Sequence, residues 1–536
     1  MDPGQRDGEK WSVLSVHGEF FWWYVARIGC GDEMTDLLFR REKVLAFVLA
    51  AALIKLSGCA AINTDYQSPK VSAPDSWMTP MPHGGEQARL QDWWAQFEDE
   101  ILLKLIEAAE GDNPNLQRAL ASIDSARANV GSARSERWPM LNGSVRAKRM
   151  RQLGGTGGQI GAAGMSGGKD SMAMSYGTRS AGFDTSWELD LFGKARRNAE
   201  TAEARLAARV NNWHEARVSL AAEVADTYVQ YRGCQLLVDV YRQEVKSMKQ
   251  TDSATRESVA AGFASPADGY RTKASLASAH SKLEAQQVNC RLLTTALQSL
   301  TGVAPRTLSM WLGQPSGQLP KPRAFRVDRV PADAIRQRPD VAALERGLAA
   351  SSAEVGAAKA DLYPSLSLSG EIALTTYSLL SPSIRTWSFG PVLTLPLFDG
   401  GRRRAAVRNA EANYRAAYAG WHQGVRKAVR EIEEALARLD GAGRRSVKAA
   451  EAAAMHQAYY KSVQEEWQQG GRNLLELEEA RRSALQAEVE RVTLLRDQVQ
   501  YWIALYKACG GDWRAESAKD ETVPDKTLHR SGSTAG

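Results

Sequence analysis

The sequence predicts a mostly helical, internally duplicated chain, in which long antiparallel coiled-coil helices form an α-barrel and four strands join a membrane β-barrel. Three observations predict it. A secretory-type leader begins at Met34. A block of sequence that starts at Ala128 returns at Ala353. In each copy an alternating apolar run also passes into a long helical pattern with almost no loop between, as in "LDLFGKARRNAETAEA" from Leu189 and "LTLPLFDGGRRRAAVRNAEA" from Leu393.

Composition narrows the class. Of 536 residues, 43% are hydrophobic and 24% charged, ordinary for a folded chain. A mean hydropathy of −0.38 is too polar for a helical membrane protein. The net charge of +6 is mild, and Lys and Arg are interleaved with Glu along the helical stretches, so there is no nucleic-acid footprint. No nucleophile elbow, P-loop, HExxH or paired-carboxylate signature occurs, which argues against an enzyme, and no metal or cofactor is expected. The five cysteines are widely spaced and define neither a metal site nor a disulfide framework; Cys234, Cys290 and Cys509 are expected as buried thiols in helices.

The leader comes first. Arg40, Arg41 and Lys43 precede an apolar run from Val44 to Leu56 that is broken only by Lys55, too short for a spanning helix. It closes in Leu56-Ser57-Gly58-Cys59, which resembles a bacterial lipobox. Residues 34–58 are then a lipoprotein signal peptide and 1–33 an upstream extension outside the fold. Cys59 becomes an N-terminus carrying diacylglycerol and fatty acyl groups, and 59–92 a lipid-anchored linker. Ala60 after the Cys is compatible with outer-membrane sorting.

The first repeat covers 93–311 and the second 332–513. Val130, Gly131 and Trp138-Pro139 recur as Val355, Gly356 and Tyr363-Pro364, an offset of 225 positions. Beyond them the offset becomes 208 and holds from Ala202-Glu203-Ala204 to Gly302 against Gly510. The extra "GGTGGQIGAAGMSGG", Gly154 to Gly168, accounts for the jump; it lacks the Lys-Ser/Thr of a phosphate cradle and reads as an extracellular loop. Pro139 and Pro364 end the preceding helix and open a β-hairpin, at about 140–192 and 365–398. Phe183, Trp187, Leu189 and Leu191 share one face against Asp184, Ser186, Glu188 and Asp190; Trp387, Phe389, Leu393, Leu395 and Leu397 repeat the pattern. The run after Pro139 alternates poorly. Gly193, Gly400 and Gly401 are strand-to-helix hinges. Long helical hairpins follow at about 195–301 and 402–509, their first arms about 65 residues or roughly 100 Å. A Pro-rich linker, 312–331, joins the copies, and 514–536 is a polar, disordered tail. The Trp213-His214 and Trp421-His422 pairs read as packing or surface.

Four strands cannot close a barrel, and an open edge in hydrocarbon leaves backbone groups unsatisfied at several kcal/mol each. The chain therefore supplies a fraction of a shared wall, and three copies make twelve strands.

With the lipobox at Cys59, the duplicated aromatic-Pro pair, "PLFDGGRRRAAVRNAEANY" and "GGRNLLELEEARR", the chain resembles the outer-membrane factors of tripartite efflux systems, the TolC-like family, in its lipoprotein subgroup of nodulation-protein-T type. The resemblance spans about Trp93 to Trp513. It implies a homotrimer in outer-membrane lipid that extends into the periplasm. It also implies a periplasmic adaptor, an inner-membrane pump of the resistance-nodulation-division type, and export of drugs, dyes and other toxic small molecules. The family's periplasmic gate, a Leu, an Asp four later and an Arg three later, falls on Leu475, Glu479 and Arg482, with Glu in place of Asp; Asp268 of the first copy is a further candidate. Two other readings fit part of the sequence: a type I secretion outlet, and a lipid-anchored periplasmic coiled-coil scaffold without a pore.

Overall fold

A computed structural model describes residues 66–70, 93–153, 173–313, 319–320, 322, 335–377 and 380–511. The leader with Cys59, most of the 59–92 and 312–331 linkers, the Gly-rich loop at 154–168 and the 514–536 tail lie outside them.

After a 3-10 turn at Trp94–Phe97 come α1 (Glu100–Asp112), α2 (Pro114–Ser135), β1 (Met140–Leu153) and β2 (Ala173–Leu189). The first long hairpin is α3 (Lys194–Ala260) and α4 (Pro266–Thr301), followed by the short α5 (Pro305–Leu312). The second copy repeats the plan with α6 (Pro339–Ala360), β3 (Ser365–Tyr377), β4 (Leu380–Thr394), α7 (Arg402–Gln468) and α8 (Leu474–Ala508). At 67 residues each, α3 and α7 are about 100 Å long.

The four strands form one antiparallel sheet in the order β1-β2-β3-β4. Register assigns the faces. Gly143, Phe183, Ile372 and Trp387 stand in one row, and Leu189, Leu366 and Leu393 in another row of the same face. Asn142, Asp184, Glu371 and Ser388 form a row of the opposite face. The apolar face is open: Trp387 is 81% exposed and Phe389 70%. Although β1 alternates poorly, it is a full strand, because it pairs with β2 from Met140↔Ser186 to Leu153↔Ala173. Both strands that face the helices stop short of the apolar run: Leu191 lies past β2, and Leu395 and Leu397 past β4. Among the described residues no helix is long and apolar enough to cross a membrane.

Pro139 and Pro364 sit in the gaps between α2 and β1 and between α6 and β3, where neither helix nor ladder needs their missing N–H. The core lies midway along the long helices, where α1 packs on α3, and α8 on both α3 and α7. Trp93 is fully buried and stacks on Tyr506 at 5.5 Å. Asp99 caps α1 through the amides of Ile101 and Leu102, and also accepts from the Tyr228 hydroxyl at 2.7 Å, tying the capping carboxylate to α3. Ala221, Ala225, Ala428 and Ala435 are buried along α3 and α7, which keeps the helices close.

One expectation fails. Cys234 of α3 and Cys290 of α4 are joined in a disulfide, with Cα atoms 5.7 Å apart. Their 56-residue separation carries no sign of it; the antiparallel hairpin creates the approach. Cys509 is a buried free thiol, and burial pushes it up to about 12.

Candidate functional site

Two places combine duplicated geometry with concentrated charge: the strand-to-helix junctions and the far tips of the helical hairpins.

At the junctions Gly193 (φ 79°) and Gly401 (φ 88°) take left-handed conformations at the N-caps of α3 and α7, and Gly400 (φ 64°) does the same one residue earlier. A carboxylate caps each helix, a role the sequence reading did not assign to either. Asp190 accepts from the amides of Ala195 at 3.0 Å and Arg196 at 2.8 Å, and Asp399 from those of Gly401 at 2.9 Å and Arg403 at 3.1 Å. The Arg403 amide bond is the main reason the Asp399 carboxyl sits below its ordinary range. Asp361, at the end of α6, receives Lys194 at 2.7 Å and Arg403 at 3.4 Å. Burial pushes that carboxyl up, but Lys194 and Arg403 outweigh burial and hold it low. The copies are thus joined where strands become helices, with Phe192 stacked on Tyr363 beside the charges at 4.9 Å.

At the tips α3 turns through Gly262 and α7 through Gly470, both at φ 79°. Ser265 and Asn473 then cap α4 and α8 by accepting from the amides of Asp268 at 3.3 Å and Glu476 at 2.9 Å. Asp268 also receives the Ser265 hydroxyl at 2.9 Å, so its carboxylate is engaged in its own turn. Arg472 bridges Glu466 at 2.7 Å and Glu476 at 3.1 Å across the second tip, and its bond is the chief reason the Glu466 carboxyl is held low.

Leu475, Glu479 and Arg482 lie four and three positions apart, on one exposed stripe of α8; Leu475 is 53% exposed. Within the described residues of one subunit the structure does not bring Asp268 to this stripe. On the adjacent face Leu477, Ala480 and Ala484 pack on Tyr460 and Val463 of α7.

Sequence reasoning also missed Arg481, which is 2% exposed. It donates to the Thr251 hydroxyl at 2.5 Å and the Met248 sulfur on α3, to the Tyr460 hydroxyl at 3.4 Å on α7, and to Glu478 on its own helix. The guanidinium also lies 5.7 Å from the centre of the Tyr460 ring. Nearby, burial pushes the Glu244 carboxyl of α3 above its ordinary range; Arg481 opposes this, Glu478 adds to it, and Lys282 opposes it again. The available signal was an Arg in the apolar i, i+4 stripe that begins at Leu477.

The outer membrane efflux protein family matches residues 105–303 and 330–511, one stretch per copy. Nodulation protein T of Rhizobium leguminosarum bv. trifolii is 30% identical over 461 residues, covering 84% of this chain and 93% of its own. Outer membrane protein OprJ of Pseudomonas aeruginosa is 29% identical over 480 residues, 87% of this chain and 96% of its own. Among solved structures, the outer-membrane channel OprN matches with a TM-score of 0.70 at 28% identity, over 84% of this chain and 99% of its own.

Proposed function

The chain belongs to the outer membrane efflux protein family, and from that premise we propose that it is the outer-membrane channel of a tripartite efflux pump. One observation carries the reading: a single subunit holds a four-stranded sheet with an open apolar face and, in the described residues, unpaired outer edges at β1 and β4. Such a sheet is tolerable in lipid only when neighbours complete it. A homotrimer closes a barrel of about twelve strands, with the row of Asn142, Asp184, Glu371 and Ser388 lining the lumen. The helices α3, α4, α7 and α8 continue that wall into the periplasm.

At the tips, Glu479 from three subunits rings the passage, Arg482 bridges to the next subunit, and Leu475 narrows the opening; Asp268 is a secondary contributor. The same end meets a periplasmic adaptor and, through it, an inner-membrane pump of the resistance-nodulation-division type. The cargo is small molecules: drugs, dyes and other toxic compounds. Cys59 carries the lipid, so Cys59→Ala abolishes acylation and leaves trimers able to insert. The membrane band on the sheet and its repetition in both copies favour this over a poreless scaffold.

The test is purification in detergent followed by planar-bilayer recording. A heat-resistant trimer with a β signal and unitary conductance is expected, with conductance rising in a Glu479→Ala, Arg482→Ala variant. A water-soluble monomer with both hairpins folded would falsify the proposal.

A further inference from the structure

We propose that the outer rim of the sheet's apolar face is a binding site for a phosphorylated glycolipid of the outer leaflet, held by Arg149, Arg179 and Arg385. This rests on the channel reading, which turns that face toward lipid.

Register puts these arginines on that face. Arg149 is six positions from Gly143 and Arg179 four from Phe183, along the strands that pair Gly143 with Phe183. Arg385 pairs with Leu374 and stands two positions from Trp387. All three residues are exposed. Nearer the helices this face of the sheet holds no Lys or Arg, so its cations gather at the end away from α3 and α7. The strands' only acids, Asp184, Glu188 and Glu371, stand on the opposite face. No carboxylate of the sheet therefore answers these charges, and in a barrel closed by three such sheets the neighbouring sheets bring none either.

Depth agrees with a headgroup. Ten positions of β2 separate Leu189, at the helix end, from Arg179. That is roughly 34 Å of strand, or about 26 Å of depth at a tilt of about 40°. The apolar band of an outer-membrane barrel is about 25 Å tall. Arg179 thus emerges at the outer edge of the hydrocarbon, where a guanidinium costs little and meets phosphate.

Spacing selects the headgroup. Arg149 and Arg179 are diagonal neighbours on paired strands, with Cα atoms about 7–8 Å apart. Like charges this close repel, and a phosphate bridging two guanidinium forks reverses the sign. Arg385 lies two strands beyond Arg179, about 10 Å away across the sheet. Between them Thr376 pairs with Arg179, and its hydroxyl meets that of Ser383 at 2.9 Å. Cations on three strands with hydroxyls between them suit a sugar headgroup that carries more than one phosphate. A single phosphodiester fills only one end of such a site.

The test titrates trimers of the full chain, in nonionic detergent, with a short-sugar lipopolysaccharide and counts bound glycolipid by native mass spectrometry. Arg149→Gln with Arg179→Gln is expected to weaken binding about tenfold or more, because charge-assisted hydrogen bonds are lost. Arg385→Gln should weaken it by a smaller factor. Arg146→Gln with Lys148→Gln removes the same charge at similar depth from the opposite face, and should bind as the wild type does. Equal loss from both pairs, or none from either, overturns the proposal. The wild type supplies a second arm that no folding defect can spoil. Lipopolysaccharide stripped of its phosphates, and phosphatidylglycerol, should each bind about tenfold more weakly. Equal binding of either overturns the proposal, as does full displacement by millimolar inorganic phosphate. Planar-bilayer conductance separates the two readings. Conducting trimers that ignore lipopolysaccharide leave the channel standing and refute this site; trimers that never conduct refute the channel, and the lipid-facing site with it.

Discussion

The two long helical hairpins descend from one duplicated sequence, and they are held together by different chemistry. In the first, α3 and α4 are joined covalently by Cys234–Cys290, and nearer the tip Thr272 donates to the buried Asp252 at 3.2 Å. In the second, the positions matching the two cysteines are Ala442 and Gln498, and the cohesion near the tip comes from Tyr460, Arg481 and an apolar cluster. The Thr272–Asp252 contact of the first hairpin stays within α3 and α4. The second reaches outward, because Arg481 bonds to α3 as well as to α7. A duplicated backbone thus supports a covalently stapled arm beside an arm anchored by reversible polar contacts.

The strongest way to break this contrast is to remove the staple. Cys234→Ser with Cys290→Ser is expected to cost about 2–4 kcal/mol, given the 56-residue separation it closes. Denaturant melts with and without reductant read it directly: reductant should weaken the wild type and leave the double variant unchanged. The converse pair, Ala442→Cys with Gln498→Cys, should install a reductant-sensitive staple in the second hairpin; failure to cross-link would show that the arms differ in register.

A smaller effect, about 1 kcal/mol each, is expected from Thr272→Val and Tyr460→Phe. Hydrogen exchange should confine the first to α3 and α4, whereas the second should loosen α7, α8 and the facing part of α3. Equal spread from both would erase the distinction. The smallest effect concerns Glu244, whose folded carboxyl is raised by burial. A raised group favours the fold below its unfolded value and loses that contribution as pH climbs through the folded value. The contact of α3 with α8 should therefore be tighter in mild acid than at neutral pH. Glu244→Gln should flatten the dependence and stabilise the tip at neutral pH.

Periodicity and duplication were enough to read the mostly helical plan with two β-hairpins and two long helical hairpins. Proline before each hairpin, alternation within it and glycine at each reversal are local signals, and each corresponds to an element boundary. The strand β1 was weakly marked because pairing with β2, more than its own alternation, holds it in the sheet. The exposed stripe of Leu475, Glu479 and Arg482 was found through resemblance, while the buried Arg481 beside it was not. An exposed charge on a helix and a buried one look alike in a string of letters.

Residue order therefore settled which segments become helix or strand and which face of β2, β3 and β4 is apolar, since these depend on neighbours within a few positions. Packing alone settled that Cys234 meets Cys290, that Lys194 and Arg403 converge on Asp361, and that Arg481 reaches Thr251 some 230 positions away. Such contacts join side chains from separate helices, and their partners become neighbours only after burial of the apolar faces has brought those helices together.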